Sequence, residues 1–281
     1  MTGRDMDTIE QFHAKLTEAK AFITSQVSFE PTVGVILGTG LGSLVDGMEI
    51  VATVDYDRIP HFPVSTVESH HGRLLFGNLR GKRVVCMQGR FHFYEGYSLQ
   101  QIAFPIRVLK SLGMETLVVS NACGGLNPNF KSGDIMLIKD HINFFPGNPL
   151  IGPNDNKWGP RFPDCYEVYN RDYQEMARRV ALELHIRLQE GVYIGVPGPT
   201  LETAAEYRMF RILGGDAVGM STVPEVITAH HQHNRVLGFS IVTDMGLPDN
   251  MHPCSIESVL QVAAEAEPKL RDLIAGCVEG L

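Results

Sequence analysis

The chain has 281 residues, 44% of them hydrophobic and 20% charged, which is the composition of a soluble globule. Acidic residues outnumber basic ones by 32 to 24, a net charge of −8, so a nucleic-acid partner gripped through its phosphates is excluded. The five cysteines, Cys86, Cys123, Cys165, Cys254 and Cys277, are odd in number and lack C-x-x-C spacing. They predict reduced thiols in a cytoplasmic protein, not a disulfide framework. Charges from Arg4 to Lys20 interrupt any signal-peptide core, and no run approaches the roughly 20 apolar residues of a membrane span.

From Asp7 to about Val27, Ile9, Phe12, Leu16, Ala19 and Ile23 recur at helical spacing. After Pro31, Val33–Leu37 is a buried strand running into Gly38-Thr39-Gly40-Leu41-Gly42. Strands are expected at Ile50–Val54, Arg73–Asn78 and Arg83–Gln88, the last two joined by a hairpin turn at Asn78-Leu79-Arg80-Gly81. Ser98–Leu112 reads as helix, Glu115–Asn121 as a second buried strand and Ile135–Ile138 as a third. The Pro-, Gly- and Asn-rich stretch from Asn143 to Cys165 is too long for a plain connection, which marks it as functional or interfacial. Tyr173–Leu184 helix, Gly191–Val196 strand, Glu202–Leu213 helix, Pro224–His233 helix, Val236–Thr243 strand and Ser255–Val278 helix complete the chain. Without a repeat or a linker, this alternation predicts one α/β domain over residues 1–281, a mixed central sheet flanked by helices.

Several strand ends carry polar groups, the position where open α/β sheets bind ligands. The Gly-rich turn after the first strand can present backbone N–H groups to an anion. Its spacing is G-x-G-x-G, not the dinucleotide fingerprint G-x-G-x-x-G, so an anion site, a dinucleotide site and a plain turn all remain open. If Gln88–Gly96 is extended, Arg90, His92 and Tyr94 project to one face. Arg offers a planar fork for phosphate and His a second donor. Ser65-Thr66-Val67-Glu68-Ser69-His70-His71 forms a loop of hydroxyls and imidazoles. His230, His231 and His233 lack a carboxylate or thiol at zinc spacing, so no metal is expected and they read as a surface helix end. Asn121–Leu126, Gly198–Thr203, Val218–Glu225 and Thr243-Asp244 add small or polar residues at further strand ends. Ser221 and Thr222 have a simpler reading as caps of the following helix.

Long ordered stretches carry a resemblance: VILGTGLG, HFPVSTVESHHG, MQGRFHFYEGY, SNACGGLNP, DHINFFPGNPL, GPTLETAAE and DAVGMSTVPEV. Together they resemble the trimeric class of purine nucleoside phosphorylases, from the first helix to the last. The resemblance implies reversible phosphorolysis of a purine nucleoside to free base and pentose 1-phosphate, a step of purine salvage. No metal or organic cofactor is implied, because inorganic phosphate is itself a co-substrate. It further implies that Thr39, His70, Arg90, His92, the Ala122 backbone and Ser221 hold phosphate. Tyr94, Tyr193 and Met220 would line the sugar, with Phe162 reaching the site of a neighbouring subunit in a homotrimer. Ala122, Leu201, Val218 and Gly219 would sandwich the purine, with Glu202, Thr243 and Asp244 along its polar edge. His92, Glu202 and Asp244 are the expected catalytic groups.

Two positions depart from the pattern. Family members specific for 6-oxopurines carry Asn at the Asp244 position and His where this chain has Ile256, with His252 nearby as a substitute. A protonated Asp244 can donate to purine N7 while accepting from a 6-amino group, which predicts activity on 6-aminopurines. The like charge of Glu202 is expected to raise one of the two carboxyl pKa values. Ile256 offers a hydrophobic wall at the 5′ end, which makes 5′-methylthioadenosine phosphorylase the alternative assignment. A nicotinamide dehydrogenase, suggested by the Gly-rich turn alone, would leave Arg90, His92 and Ser221 without use. A catalytically silent nucleoside-binding protein would be expected to lose its phosphate ligands, which are present here.

Overall fold

A computed structural model describes residues 7–38, 42–64 and 72–281. The described residues form strands β1 (Val33–Leu37), β2 (Glu49–Asp55), β3 (Arg73–Leu79), β4 (Lys82–Gln88), β5 (Thr116–Gly125), β6 (Ile135–Asn143), β7 (Leu188–Gly195), β8 (Ala217–Gly219) and β9 (Arg235–Met245). The helices are α1 (Ile9–Gln26), α2 (Leu99–Ser111), α3 (Arg171–Glu183), α4 (Ala204–Ile212), α5 (Val223–His231) and α6 (Ile256–Gly280). The strands make one mixed sheet in the order β2-β3-β4-β1-β5-β8-β7-β6-β9. β5 also pairs in parallel with β9. The strands β5, β8, β7, β6 and β9 therefore close on themselves, while β1 to β4 extend from β5 as an open wing.

Alternation within the strands explains the layers. Ile36, Val85 and Val119 face a core shared with Leu16 and Ile23 of α1, Ile102 and Ile106 of α2 and Val226 of α5. Their neighbours Val35, Cys86 and Val118 face the other way, against Tyr173 and Met176 of α3 and Leu270, Leu273 and Ile274 of α6. A sheet covered on both faces requires apolar residues at consecutive positions, which is what β1 supplies. Helix starts are fixed by side-chain caps: Thr8 with Gln11, Ser98 with Gln101 and Thr203 with Glu206 each form a reciprocal capping box. Arg80 and Gly81 both have positive φ, the two-residue turn that a β3–β4 hairpin needs.

The fold class is as expected, and the differences are local. β5 runs past Asn121 to Gly125, and β6 continues to Asn143. β8, three residues long, was not anticipated. The expected helix at Glu202 begins instead at Ala204, behind the Thr203 cap. The reading of the histidine cluster as a surface helix end is corrected at its centre, because α5 is buried and His231 is 2% exposed. His231 Nδ1 accepts from Arg107 at 3.0 Å, while Nε2–H faces the Pro160 carbonyl at 3.1 Å and Asn154 Oδ1 at 3.2 Å. The loop after β6 is thereby tied to α2 and α5. Trp158 packs edge-on against Phe12 and under the Arg107 guanidinium.

Candidate active site

β1, β4, β5 and β9 run in parallel, so their carboxyl ends meet at one edge of the sheet. Gly38 leaves β1 where a Cβ would stand 2.8 Å from the Asn121 Cα and 2.9 Å from the Ser120 carbonyl oxygen. The chain can pass there only as glycine. The next residues, including Thr39, lie outside the described residues, as does His70.

Arg90 follows β4 and is 2% exposed. Its Nη1 donates to the Ser120 carbonyl and to Ser221 Oγ, each at 3.0 Å. Its Nε lies 3.3 Å from Glu225 Oε1, a carboxylate in the first turn of α5 that is also buried. Residues separated by more than a hundred positions thus converge on one guanidinium. Ser221 does not cap α5, since its hydroxyl accepts from Arg90. Thr222 is the residue before that helix, but its side chain makes no capping bond. Thr222 has φ of 72°, rare for a β-branched residue, and its hydroxyl accepts from Asn121 Nδ2 at 2.9 Å. Tyr193, wholly buried, backs this corner: Ser221 N–H points at its hydroxyl at 3.4 Å, and a Cβ on Gly219 would stand 2.4 Å from the same oxygen.

His92 is buried and locked by Glu95, whose Oε1 accepts from the His92 backbone N–H at 2.8 Å and from Nδ1 at 2.9 Å. Tyr94 corrects the expectation of three side chains alternating along an extended strand. Phe93–Glu95 is a 3-10 turn, and the Tyr94 ring stacks on His92 at 4.7 Å with 12° between planes. The tyrosine therefore shields the imidazole instead of standing two positions beyond it.

β8 and the end of β9 pair with the end of β5, where Gly124 lies opposite Val218 and Asp244. Val218 is buried, Gly219 and Met220 are half-buried, and Leu201 is 53% exposed on the turn before α4. Ala122 is half-buried on β5. Thr243 Oγ1 reaches the Cys123 carbonyl at 3.2 Å and Asp244 Oδ1 at 3.0 Å. Burial raises the pKa of Asp244, with the Thr243 hydrogen bond pulling the other way. Glu202 is raised as well, first by burial and only secondarily by Asp244. The expected direction holds, but desolvation rather than like charge is the main cause. Phe162, at the far side of the chain's long loop, is 88% exposed. Ile256 at the start of α6 is 62% exposed, and His252 is exposed in the loop before it.

Glu225, Glu95 and Tyr207 belong to this constellation and were missed from the sequence. Glu225 had a signal: it is the only charged residue in the run Val223–Ala229, which is apolar but for Thr228. Tyr207 is buried, faces both Glu202 and Asp244, and packs so closely on the chain after β9 that a Cβ on Gly246 would meet its ring at 2.4 Å. Among the described residues, no group of three or more His, Cys, Asp and Glu side chains is arranged to hold a metal. No described helix is long and apolar enough to cross a membrane.

A buried guanidinium and two carboxyls with raised pKa values, gathered near the carboxyl ends of neighbouring parallel strands, are a set of groups suited to sugar–base cleavage. Residues 32–279 match the family model described as the phosphorylase superfamily, and the chain belongs to that superfamily. It is 48% identical over 264 residues to purine nucleoside phosphorylase 1 of Bacillus subtilis, covering 94% of this chain and 97% of that one. It is 49% identical over 261 residues to the purine nucleoside phosphorylase of Bos taurus, covering 90% of each. The solved structure of isoform 2 of the Schistosoma mansoni purine nucleoside phosphorylase, in complex with cytosine and ribose-1-phosphate, matches with a TM-score of 0.91 at 42% identity. That match covers 96% of this chain and 97% of the other. The Schistosoma mansoni enzyme in complex with adenosine matches with a TM-score of 0.90 at 40% identity, covering 95% and 97%. Within the superfamily this chain is a member of the purine nucleoside phosphorylase family, whose enzymes are pentosyltransferases.

Proposed function

We propose that the chain catalyses reversible phosphorolysis of purine ribo- and deoxyribonucleosides in purine salvage. The observation that carries this reading is the buried Arg90, held by Ser221, Ser120 and Glu225 near the carboxyl end of β5, the strand end that β9 brings beside Asp244. Phosphate is held by Arg90, His92, Ser221 and the Ala122 backbone N–H, together with Thr39 and His70, and needs no metal or organic cofactor. A guanidinium suits two phosphate oxygens at once. The glycosidic bond loosens first, the sugar takes on oxocarbenium character, and phosphate attacks the anomeric carbon from below. Tyr94 and Met220 bracket the sugar, with Tyr193 acting from behind.

Charge building on the leaving purine is met at its polar edge. Asp244, with its pKa raised by burial, is disposed to carry a proton and donate it toward N7. Its second oxygen accepts from a 6-amino group, so 6-aminopurine nucleosides are substrates alongside 6-oxopurine ones. Glu202, when ionised, accepts N1–H of a 6-oxopurine. Ala122, Leu201, Val218, Gly219 and Thr243 frame the base. The exposed Phe162 completes a neighbouring site in a homotrimer, and the free thiols Cys86, Cys123 and Cys277 suit a reducing cytoplasm.

The test is a panel of inosine, adenosine and 5′-methylthioadenosine, assayed with and without phosphate. Phosphate-dependent release of base from inosine and adenosine is expected. Release that ignores phosphate would make the enzyme a hydrolase, and a strong preference for the methylthio compound would favour the sister activity.

A further inference from the structure

The histidines at the end of α5 have no part in the chemistry above, yet they hold something specific. Residues 144–170, all of them described, form neither helix nor strand, so no regular backbone ladder fixes the long loop. Two imidazoles from the last turn of α5 grip it instead. His231 Nε2 lies 3.1 Å from the Pro160 carbonyl oxygen, and His230 Nε2 lies 2.7 Å from the Asp164 carbonyl oxygen. The partners fix where the hydrogens sit. His231 Nδ1 faces Arg107 Nη2 at 3.0 Å, and a guanidinium can only donate, so Nδ1 is bare and Nε2 carries the hydrogen. A carbonyl oxygen can only accept, so His230 Nε2 is a donor too. Gly159 is buried beside Pro160, where a Cβ would run into the His231 carbonyl oxygen; loop and helix end meet backbone to backbone.

The two gripped carbonyls stand two residues before and two residues after Phe162. The phenyl ring between them is 88% exposed, with the Arg161 guanidinium 5.8 Å from its centroid. A large apolar side chain turned to solvent, on a backbone moored on both sides, serves no purpose in the core of its own subunit. Resting on the reading above that Phe162 completes a neighbouring copy's sugar site, we infer that His230 and His231 are positioning residues: their N–H groups hold residues 160–164 in the shape that presents Phe162 to that site. The loop is then ordered before the nucleoside arrives, and binding does not bear the entropy of ordering it. Arg90 meets Glu225 at the opposite end of α5, so loosening the clamp leaves the phosphate ligands in place.

The experiment makes His230→Ala and His231→Leu, each alone and each in a Phe162→Ala background, and measures steady-state phosphorolysis. Either substitution alone should raise the nucleoside KM about fivefold, the net contribution of one hydrogen bond, with kcat and the phosphate KM within about twofold of the parent. In the Phe162→Ala background neither should add more than about twofold, because the ring that the clamp aims is gone. General damage to the fold would instead act equally with and without the ring. Should His231→Leu fail to fold, the half-buried His230 carries the comparison. A nucleoside KM that the histidine variants leave unchanged while Phe162→Ala raises it, or a rise of equal size in both backgrounds, would overturn the role given to the clamp. A nucleoside KM that Phe162→Ala itself leaves unchanged would overturn the reading of Phe162 on which the role rests.

Discussion

Glu225→Gln tests the electrostatics around Arg90 most directly. Arg90 is 2% exposed and Glu225 3%, and Nε and Oε1 are 3.3 Å apart. At an effective dielectric of about 20, that separation corresponds to roughly 5 kcal/mol of attraction before desolvation is counted. Removing one partner of a buried pair costs about 3–5 kcal/mol, because the other charge stays behind. Glutamine keeps the shape and an acceptor, so the lower end applies: a loss of about 3 kcal/mol, or a fall of about 6–12 °C in melting temperature, in phosphate-free buffer. Added phosphate brings back negative charge beside Arg90. The variant should therefore gain more from phosphate than the parent does, and the gap between the two melting curves should narrow as phosphate is raised at constant ionic strength. The measurement is a thermal scan of both proteins across a phosphate series with a chloride control. A variant as stable as the parent without phosphate, or a gap that phosphate leaves untouched, would refute the assignment of Glu225 as a counter-charge at an anion site.

Three other outcomes are expected. Burial raises the Asp244 pKa, so the folded state holds a proton that the unfolded state releases, and stability is lost as pH rises through the folded value. Asp244→Asn should thus melt above the parent at neutral pH and lose that advantage as pH falls toward about 4, the unfolded carboxyl range; a constant difference across pH would contradict this. His231 is pushed down to about 4 by burial and by Arg107, so its contribution is full above the ordinary imidazole value of 6.5 and lost as pH falls through about 4. Acid unfolding of His231→Gln should show a shallower slope in that window, with His141, also near 4, retaining part of it. If Phe162 supplies apolar contact at a neighbouring subunit's sugar, as proposed, Phe162→Ala should raise the nucleoside KM about tenfold and leave the phosphate KM alone. Unchanged steady-state kinetics would remove Phe162 from the site.

Most of the sheet was legible because buried strands declare themselves as apolar runs, as Val33–Leu37 does. β8 was not, because three residues are too few for any period to register, and its pairing with Gly124 and Gly125 depends on a fold that brings them together. In the site, Arg90, His92 and Ser221 stood out by residue type and by resemblance, and the structure places Arg90 and Ser221 in contact. Their partners were harder. Glu225 and Glu95 look like ordinary acids of a first helical turn, where the local rule is solvent and helix dipole. Tertiary packing turns Glu225 onto Arg90, while Glu95 reaches His92 through a local capping box that needs the 3-10 turn to form. Tyr94 failed for the opposite reason: the alternation rule assumes an extended backbone, and a single 3-10 turn cancels it. His231 shows how an imidazole at a helix end becomes buried when a distant loop covers it, something that no window of sequence around it contains.

The backbone at Thr222 has a consequence for engineering. A β-branched residue held at φ of 72° stores on the order of 1–3 kcal/mol, and glycine would adopt the same angle without that penalty. A library selected for heat tolerance would be drawn to glycine at this position. The same exchange deletes the oxygen that Asn121 grips and loosens the peptide unit presenting Ser221. Durability and turnover therefore pull in opposite directions at one residue, and hardened descendants of this enzyme should be sought elsewhere in the chain.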